Sequence, residues 1–148
     1  MLIRLAKLFG AVICVIACLQ LAVAQCRKPK DWETPHGANE FHLEDAGAIK
    51  RVQGMVSFPK TDMIIEIYIY SGSQSYEDVN RVLGEKRSAA CVTSDGGRFS
   101  FPNLKPGRYL LRAGTRERDQ FNESHIILNL DPKRGNNKKL VIALTLGT

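Results

Sequence analysis

Few residues in this chain are of types that run reactions, and their spacing is unhelpful to them. The histidines are His36, His42 and His125. None stands in a metal-binding spacing such as H-x-x-x-H or H-E-x-x-H, where one helical turn brings two imidazoles onto one ion. His36 and His42 do lie among Glu33, Glu40 and Glu44, which are donor types for a loose metal site. The stretch has the make-up of a solvated segment, however, and no metal or cofactor is expected there. There is no G-x-S-x-G elbow and no Cys–His signature. Serines and aspartates occur without a base in any recognisable pattern, so no catalytic residue is assigned and no enzyme is expected.

Binding chemistry is better represented. Tyr68 and Tyr70 alternate with Ile65, Ile67 and Ile69, which places the two rings together on the outward face of one strand. Rings so placed form a stacking platform for a glycan. The alternative is that they cover the sheet beside cross-strand partners, as strand aromatics commonly do. Arg112, Arg116 and Arg118 gather around one loop and suit an acidic partner, but Glu117 and Asp119 interleave with them and favour a self-compensated, solvated loop. Asn122-Glu123-Ser124 is a glycosylation sequon, which is silent in a bacterial host.

The start of the chain sets the compartment. Arg4 and Lys7 precede an almost wholly apolar run over residues 8–19, and Ala22-Val23-Ala24 offers small residues to a signal peptidase. Residues 1–24 are therefore expected to be a secretory signal peptide. A transmembrane helix needs about 20 apolar residues; Gln20 interrupts this run, and no later segment approaches that length. An alternative reading takes Val15-Ile16-Ala17-Cys18 as a lipoprotein box with a lipid anchor on Cys18, although the residues after it are apolar where a tether is usually polar. Both readings export the protein to the periplasm, cell surface or medium, with a bacterial source.

Two cysteines, Cys26 and Cys91, remain after processing. An oxidising compartment makes a Cys26–Cys91 disulfide one reading. The other is a buried thiol at Cys91 and a free thiol at Cys26. The whole chain has 21 basic and 15 acidic residues and a net charge of +6. Without Arg4 and Lys7 the remainder stands at 19 against 15, or +4. That mild excess does not suggest nucleic acid as a partner, while an acidic polysaccharide or an anionic membrane surface is compatible with it.

Residues 25–47, with Pro29, Pro35, Gly37 and Gly47 among charges and no sustained period, read as a flexible N-terminal tail in which Trp32, Phe41 and Leu43 are isolated apolar points. Period-two alternation begins at residue 48. It runs through Val52, Gly54, Val56 and Phe58, then through Ile65, Ile67 and Ile69. After a polar loop with a helical turn over Tyr76–Leu83 it continues through residues 88–93, Phe99 and Phe101, Tyr109, Leu111 and Ala113, Ile126, Leu128 and Leu130, and finally Leu140, Ile142, Leu144 and Leu146. Seven short strands between turn residues, with no long 3.6-residue period, predict an all-β fold: a seven-stranded antiparallel β-sandwich over residues 48–148.

One stretch is more specific. In residues 93–111, Asp95-Gly96-Gly97 signals a hairpin, Phe99 and Phe101 point to the core, Leu104 plugs the loop, and Pro106-Gly107 turns the chain into the strand carrying Tyr109 and Leu111. This resembles the D-x-x-G-x-F-x-F-x-x-L-x-P-G-x-Y-x-L hallmark of carboxypeptidase regulatory-like domains, with one residue fewer between Asp95 and Gly97. Val52-Gln53-Gly54-Met55-Val56 is similar to that family's opening strand. The resemblance implies a prealbumin-like (Ig-like), carbohydrate-binding-like sandwich, used as an accessory domain with many functions. A related surface-fibre domain makes an internal isopeptide bond. Lys50 and Glu66 fill two of its places, but the last strand lacks the Asn or Asp, so none is expected.

The function expected from these features is a non-catalytic exported module, structural or protein-interacting, in the cell envelope. The alternative is a carbohydrate-binding module using Tyr68 and Tyr70. The partner is thus an envelope protein or a glycan.

Overall fold

In the computed structural model, residues 26–59, 62–93, 97–117 and 120–147 are described. The expected signal peptide, the Cys18 anchor, Asp95, Gly96, Arg118 and Asp119 lie outside the described residues.

The chain is all-β with one short helix. Its strands are β1 (Ala38–Ile49), β2 (Gln53–Phe58), β3 (Met63–Ile69), β4 (Ala89–Thr93), β5 (Arg98–Ser100), β6 (Gly107–Thr115), β7 (Asn122–Leu130) and β8 (Leu140–Ala143), with helix α1 (Tyr76–Leu83) between β3 and β4. A five-stranded sheet has the order β1-β7-β6-β3-β4 and a three-stranded sheet the order β5-β2-β8. The peptide bond from Phe58 to Pro59 is cis.

Both sheets turn alternate side chains into one core. Met63, Ile65, Ile67, Tyr109, Leu111, Ile126 and Leu128 come from the large sheet, and Val56, Phe99, Leu140 and Ile142 from the small one. Period-two patterning makes this possible, because each strand then has one apolar face to bury. Gly54 is required in β2, since a Cβ there would collide with the carbonyl oxygen of Leu140 on β8.

Two expectations are corrected. The sheets are mixed rather than antiparallel: β1 runs parallel to β7 and β2 parallel to β8, while the other pairings are antiparallel. Alternation along a strand reports which face is buried and carries no information on the direction of a partner far along the chain. Second, residues 25–47 are not a tail without structure among the described positions, because β1 begins at Ala38. Register shifts between Ala38 and His42 and between Asp45 and Ala48 break its alternation. As an edge strand it also leaves His42, Glu44 and Asp45 exposed. Bulges and an exposed edge together erase the periodic signal.

β3 is buried on both faces over Met63–Tyr68. Its inward residues meet the core. Its outward residues are covered by α1 at one end and by residues 26–37 at the other. Ser75 caps α1 by accepting from the backbone N–H of Asp78 (3.2 Å), and Glu77 and Asp78 occupy the first turn, where carboxylates favour the helix N-terminus. Hydrogen bonds from the Ser73 hydroxyl and the Arg81 guanidinium hold the Asp78 carboxyl well below its usual range. Val79 and Val82, one turn apart, pack on Leu110, Ile127, Tyr68 and Tyr70.

Candidate functional site

The tyrosines proposed as a glycan platform do share the outward face of β3, but the face is closed. Tyr68 is 4 % exposed and Tyr70 3 %. The valines of α1 lie over them, the Tyr70 hydroxyl donates to the Ser73 carbonyl, and the Arg108 guanidinium stands 5.2 Å from the Tyr70 ring centre. No sugar can stack on rings covered in this way. The overlooked signal is local: two valines three residues apart in an otherwise polar stretch make a helix that must bury one side.

Below the helix the same sheet face carries charge. Glu66 on β3 stands in register with Arg112 on β6, and Arg112 with His125 on β7, so the three form a row across the sheet. Glu66 is 1 % exposed. Its carboxylate accepts from the Tyr68 hydroxyl (2.7 Å), from Arg87 (2.8 Å) and from Arg112 (3.4 Å). Arg112 also donates two bonds of 2.7 Å to the two oxygens of Glu123, the fork geometry that best suits a guanidinium and a carboxylate. His125 Nε2 lies 3.5 Å from the same Glu123. Burial together with the Glu66 carboxylate pushes the Tyr68 hydroxyl far above its usual range.

Residues 26–37 form a strap over this row. Arg27 and Val92 exchange backbone hydrogen bonds at the free edge of β4, and His36 and Thr115 do so at the end of β6. Between these anchors Arg87 donates to the Lys30 and Glu33 carbonyls, and Arg112 to that of Pro35. Gly114 permits the crossing, since a Cβ there would come within 2.6 Å of the His36 carbonyl oxygen. Glu33, 3 % exposed, turns under the strap. It takes two bonds of 3.1 Å from Arg27, one of 2.7 Å from the Lys30 N–H and one of 3.0 Å from Arg116. Cys26 and Cys91 form a disulfide, with Cα atoms 5.3 Å apart, that pins the strap's first residue to β4.

The expected compensation by Glu117 is therefore corrected for Arg112 and Arg116, while Arg118 and Asp119 lie outside the described residues. Arg112 pairs with Glu66 and Glu123, and Arg116 with Glu33 and Asp62. Neighbours along an extended chain point to opposite faces, so the partners come from elsewhere in the fold: Glu66 on β3, Glu123 on β7, Glu33 in the strap and Asp62 just before β3. Asn122 of the sequon is buried on β7 and donates to Thr145 Oγ1.

The remaining motif residues are structural. Gly97 accepts from the Val56 N–H through its carbonyl (3.1 Å). Phe99 and Phe101 are buried with ring centres 6.2 Å apart. Leu104 packs against the core, and Leu111 is fully inside it. Pro106 is exposed and Gly107 opens β6. The Tyr109 hydroxyl donates to the Lys105 carbonyl (2.7 Å), closing the loop between them. Lys50 is held by its backbone, its N–H donating to the Asn136 carbonyl. Among the described residues no group of three metal-ligating side chains occurs, and no helix is long and apolar enough to cross a membrane.

Chemically, the network surrounds its carboxylates with guanidinium, hydroxyl and backbone N–H donors. Its consequence is stability that depends on acid. Hydrogen bonds from Arg27 and from the Lys30 N–H hold the Glu33 carboxyl down at about 2. Burial would raise Glu123, but hydrogen bonds from His125 and Arg112 outweigh it and bring it to about 2, from an ordinary 4.5. A carboxyl whose folded pKa is depressed adds stability above its unfolded pKa and loses it as pH falls towards the folded value. Stability to denaturant should therefore fall steadily between about pH 4.5 and pH 2, with Glu123 alone accounting for about 3 kcal/mol at most. Unfolding midpoints that stay level down to pH 2.5 would show that the network adds no net stability. Comparison of the chain with protein-family models, with curated proteins and with solved structures finds no match in any of the three.

Proposed function

We propose that the mature chain is a non-catalytic exported module, a sandwich of the carboxypeptidase regulatory-like kind, that serves as a structural or protein-interaction domain in the cell envelope. The observation that carries this reading is the unequal covering of the two sheets. The outward face of the large sheet is closed by α1 and the strap. The outward face of the small sheet is open and apolar at its centre, where Met55 (41 % exposed) and Val141 (61 % exposed) are direct cross-strand partners. Phe58 and Leu146, both about half exposed or more, are further uncovered apolar side chains of the chain. Trp32, Ile69 and Tyr76 are exposed as well; Met55 and Val141 are set apart by being register partners on one open sheet face, which suits a contact surface. The disulfide supports export, because such bonds persist in oxidising compartments. The carbohydrate reading loses the surface on which it rested, since Tyr68 and Tyr70 are buried.

The test is photo-crosslinking in cells, with a photoreactive residue at position 55 or 141 and, as a control, at exposed position 86. A discrete protein adduct from 55 and 141, lost when Val141→Asp is added to the position-55 variant and missing from position 86, supports the reading. Adducts equal at all three positions, or none at 55 and 141, overturn it.

A further inference from the structure

The domain sorts its positive charge between its two ends. Arg27, Arg87, Arg112 and Arg116 are each tied to a carboxylate in the network under the strap. The other end is different. There β1 and β7 finish side by side at Ile49 and Leu130, β6 starts at Gly107 opposite Leu130, and β2 and β8 begin side by side with Gly54 opposite Leu140. Three connections between the two sheets therefore lie at one end: residues 50–52, 101–106 and 131–139. They touch one another, because the Lys50 N–H donates to the Asn136 carbonyl and the Phe101 N–H to the Val52 carbonyl.

These connections are strongly basic. The first carries Lys50 and Arg51. The second carries Lys105 and leads into Arg108 at the start of β6. The third carries Lys133, Arg134, Lys138 and Lys139. Against these eight cations the same segments hold one carboxylate, Asp131. That carboxylate is occupied in accepting the backbone N–H groups of Lys133 and Arg134 (3.0 and 2.9 Å). Arg108 donates to the Gly72 carbonyl, and none of the eight forms a salt bridge among the described residues. All but Lys50 are exposed. The excess positive charge of the processed chain is thus concentrated on one cap rather than spread over the surface.

We infer that this cap, formed by the basic residues of the three inter-sheet connections, binds an acidic polysaccharide of the cell envelope. Two features favour a hydrated polyanion over a bilayer. No large exposed apolar side chain belongs to these connections; the exposed pair Met55 and Val141 follows Gly54 and Leu140 on the neighbouring face of the small sheet, so the connections themselves present cations and amides rather than a wedge for an acyl boundary. Amide side chains stand among the cations, Asn103 in one connection and Asn136 and Asn137 in another, and these match the hydroxyls of a sugar chain. A cap of one sign also raises the local concentration of an anionic polymer and speeds its capture. The cap borders the Met55–Val141 face without including it, and the failure of either proposal leaves the other standing.

The experiment uses the full processed chain and measures binding to alginate as a carboxylated polymer, to neutral dextran, and to vesicles of phosphatidylglycerol with phosphatidylcholine, across a salt series. Lys133→Gln/Arg134→Gln/Lys138→Gln/Lys139→Gln removes four charges from the cap. Lys28→Gln/Lys30→Gln/Lys86→Gln/Arg98→Gln removes four elsewhere. Expected is alginate binding that falls steeply with salt, no dextran binding, and a loss of at least about 30-fold in the cap variant against less than about threefold in the control; counterion release makes the number of cations engaged readable from the salt slope. Equal losses in both variants would reduce the effect to net charge and overturn the inference. So would binding to vesicles without binding to alginate, or no binding to any of the three.

Discussion

Glu66→Ala is expected to destabilise the protein by about 3–5 kcal/mol, because it removes the shared acceptor of a buried ionic group and leaves the cations in place. Arg87 would lose its 2.8 Å partner while still covered by the strap, and the buried Tyr68 hydroxyl would lose its acceptor. Arg112 would keep Glu123, so the loss should be smaller than removal of the entire network one charge at a time. Glu66→Gln separates charge from shape: it retains an acceptor oxygen and should cost less. Denaturant unfolding of the three proteins at pH 7 decides the matter. A loss of under about 1 kcal/mol in the alanine variant would mean that the arginines relax to water and that the strap is held by other contacts.

The second large effect is expected at the disulfide. Its residues are 65 apart in sequence, and closing a loop of that length restricts the unfolded chain enough to stabilise the fold by about 4 kcal/mol on the chain-entropy model. Cys26→Ala/Cys91→Ala should show this loss in guanidinium unfolding, together with faster amide exchange at Arg27 and Val92, which bond one another beside the bridge. A double variant as stable as the oxidised protein would assign the strap's attachment to Glu33 with its arginines and to the hydrogen bonds at the strap's backbone.

How much of this was legible in the sequence differs by scale. Seven of the eight strands and the helix at Tyr76–Leu83 follow from alternation and turn residues, because those signals are local. The eighth, β1, has two register shifts and a polar exposed edge, so its residues read as a linker. Alternation also placed Tyr68 and Tyr70 on the face opposite Ile65 and Ile67, but it is silent on what later folds over that face. Glu66 was visible as a lone charge in Met63–Ile69, a strand otherwise made of apolar residues and a tyrosine. A charge there demands partners. The partners are Arg87 and Arg112, and the sequence offers no means of choosing them among its 21 basic residues. The cysteine pairing could be posed as a choice between two readings and was decided only by the proximity of the strap to β4.

The two parallel pairings govern the order in which this domain can be completed. A chain appears from its N-terminal end, yet Ala38–Ile49 finds its neighbour in Asn122–Leu130, and Gln53–Phe58 finds one of its two in Leu140–Ala143. Contacts of such long sequence separation close late and slowly. The segments that emerge first are thus among the last to be satisfied, and nearly the whole chain must be present before either sheet has all of its members. Until then the apolar faces of β2 and β3 stand uncovered, which is the interval in which a chaperone or a neighbouring chain can reach them.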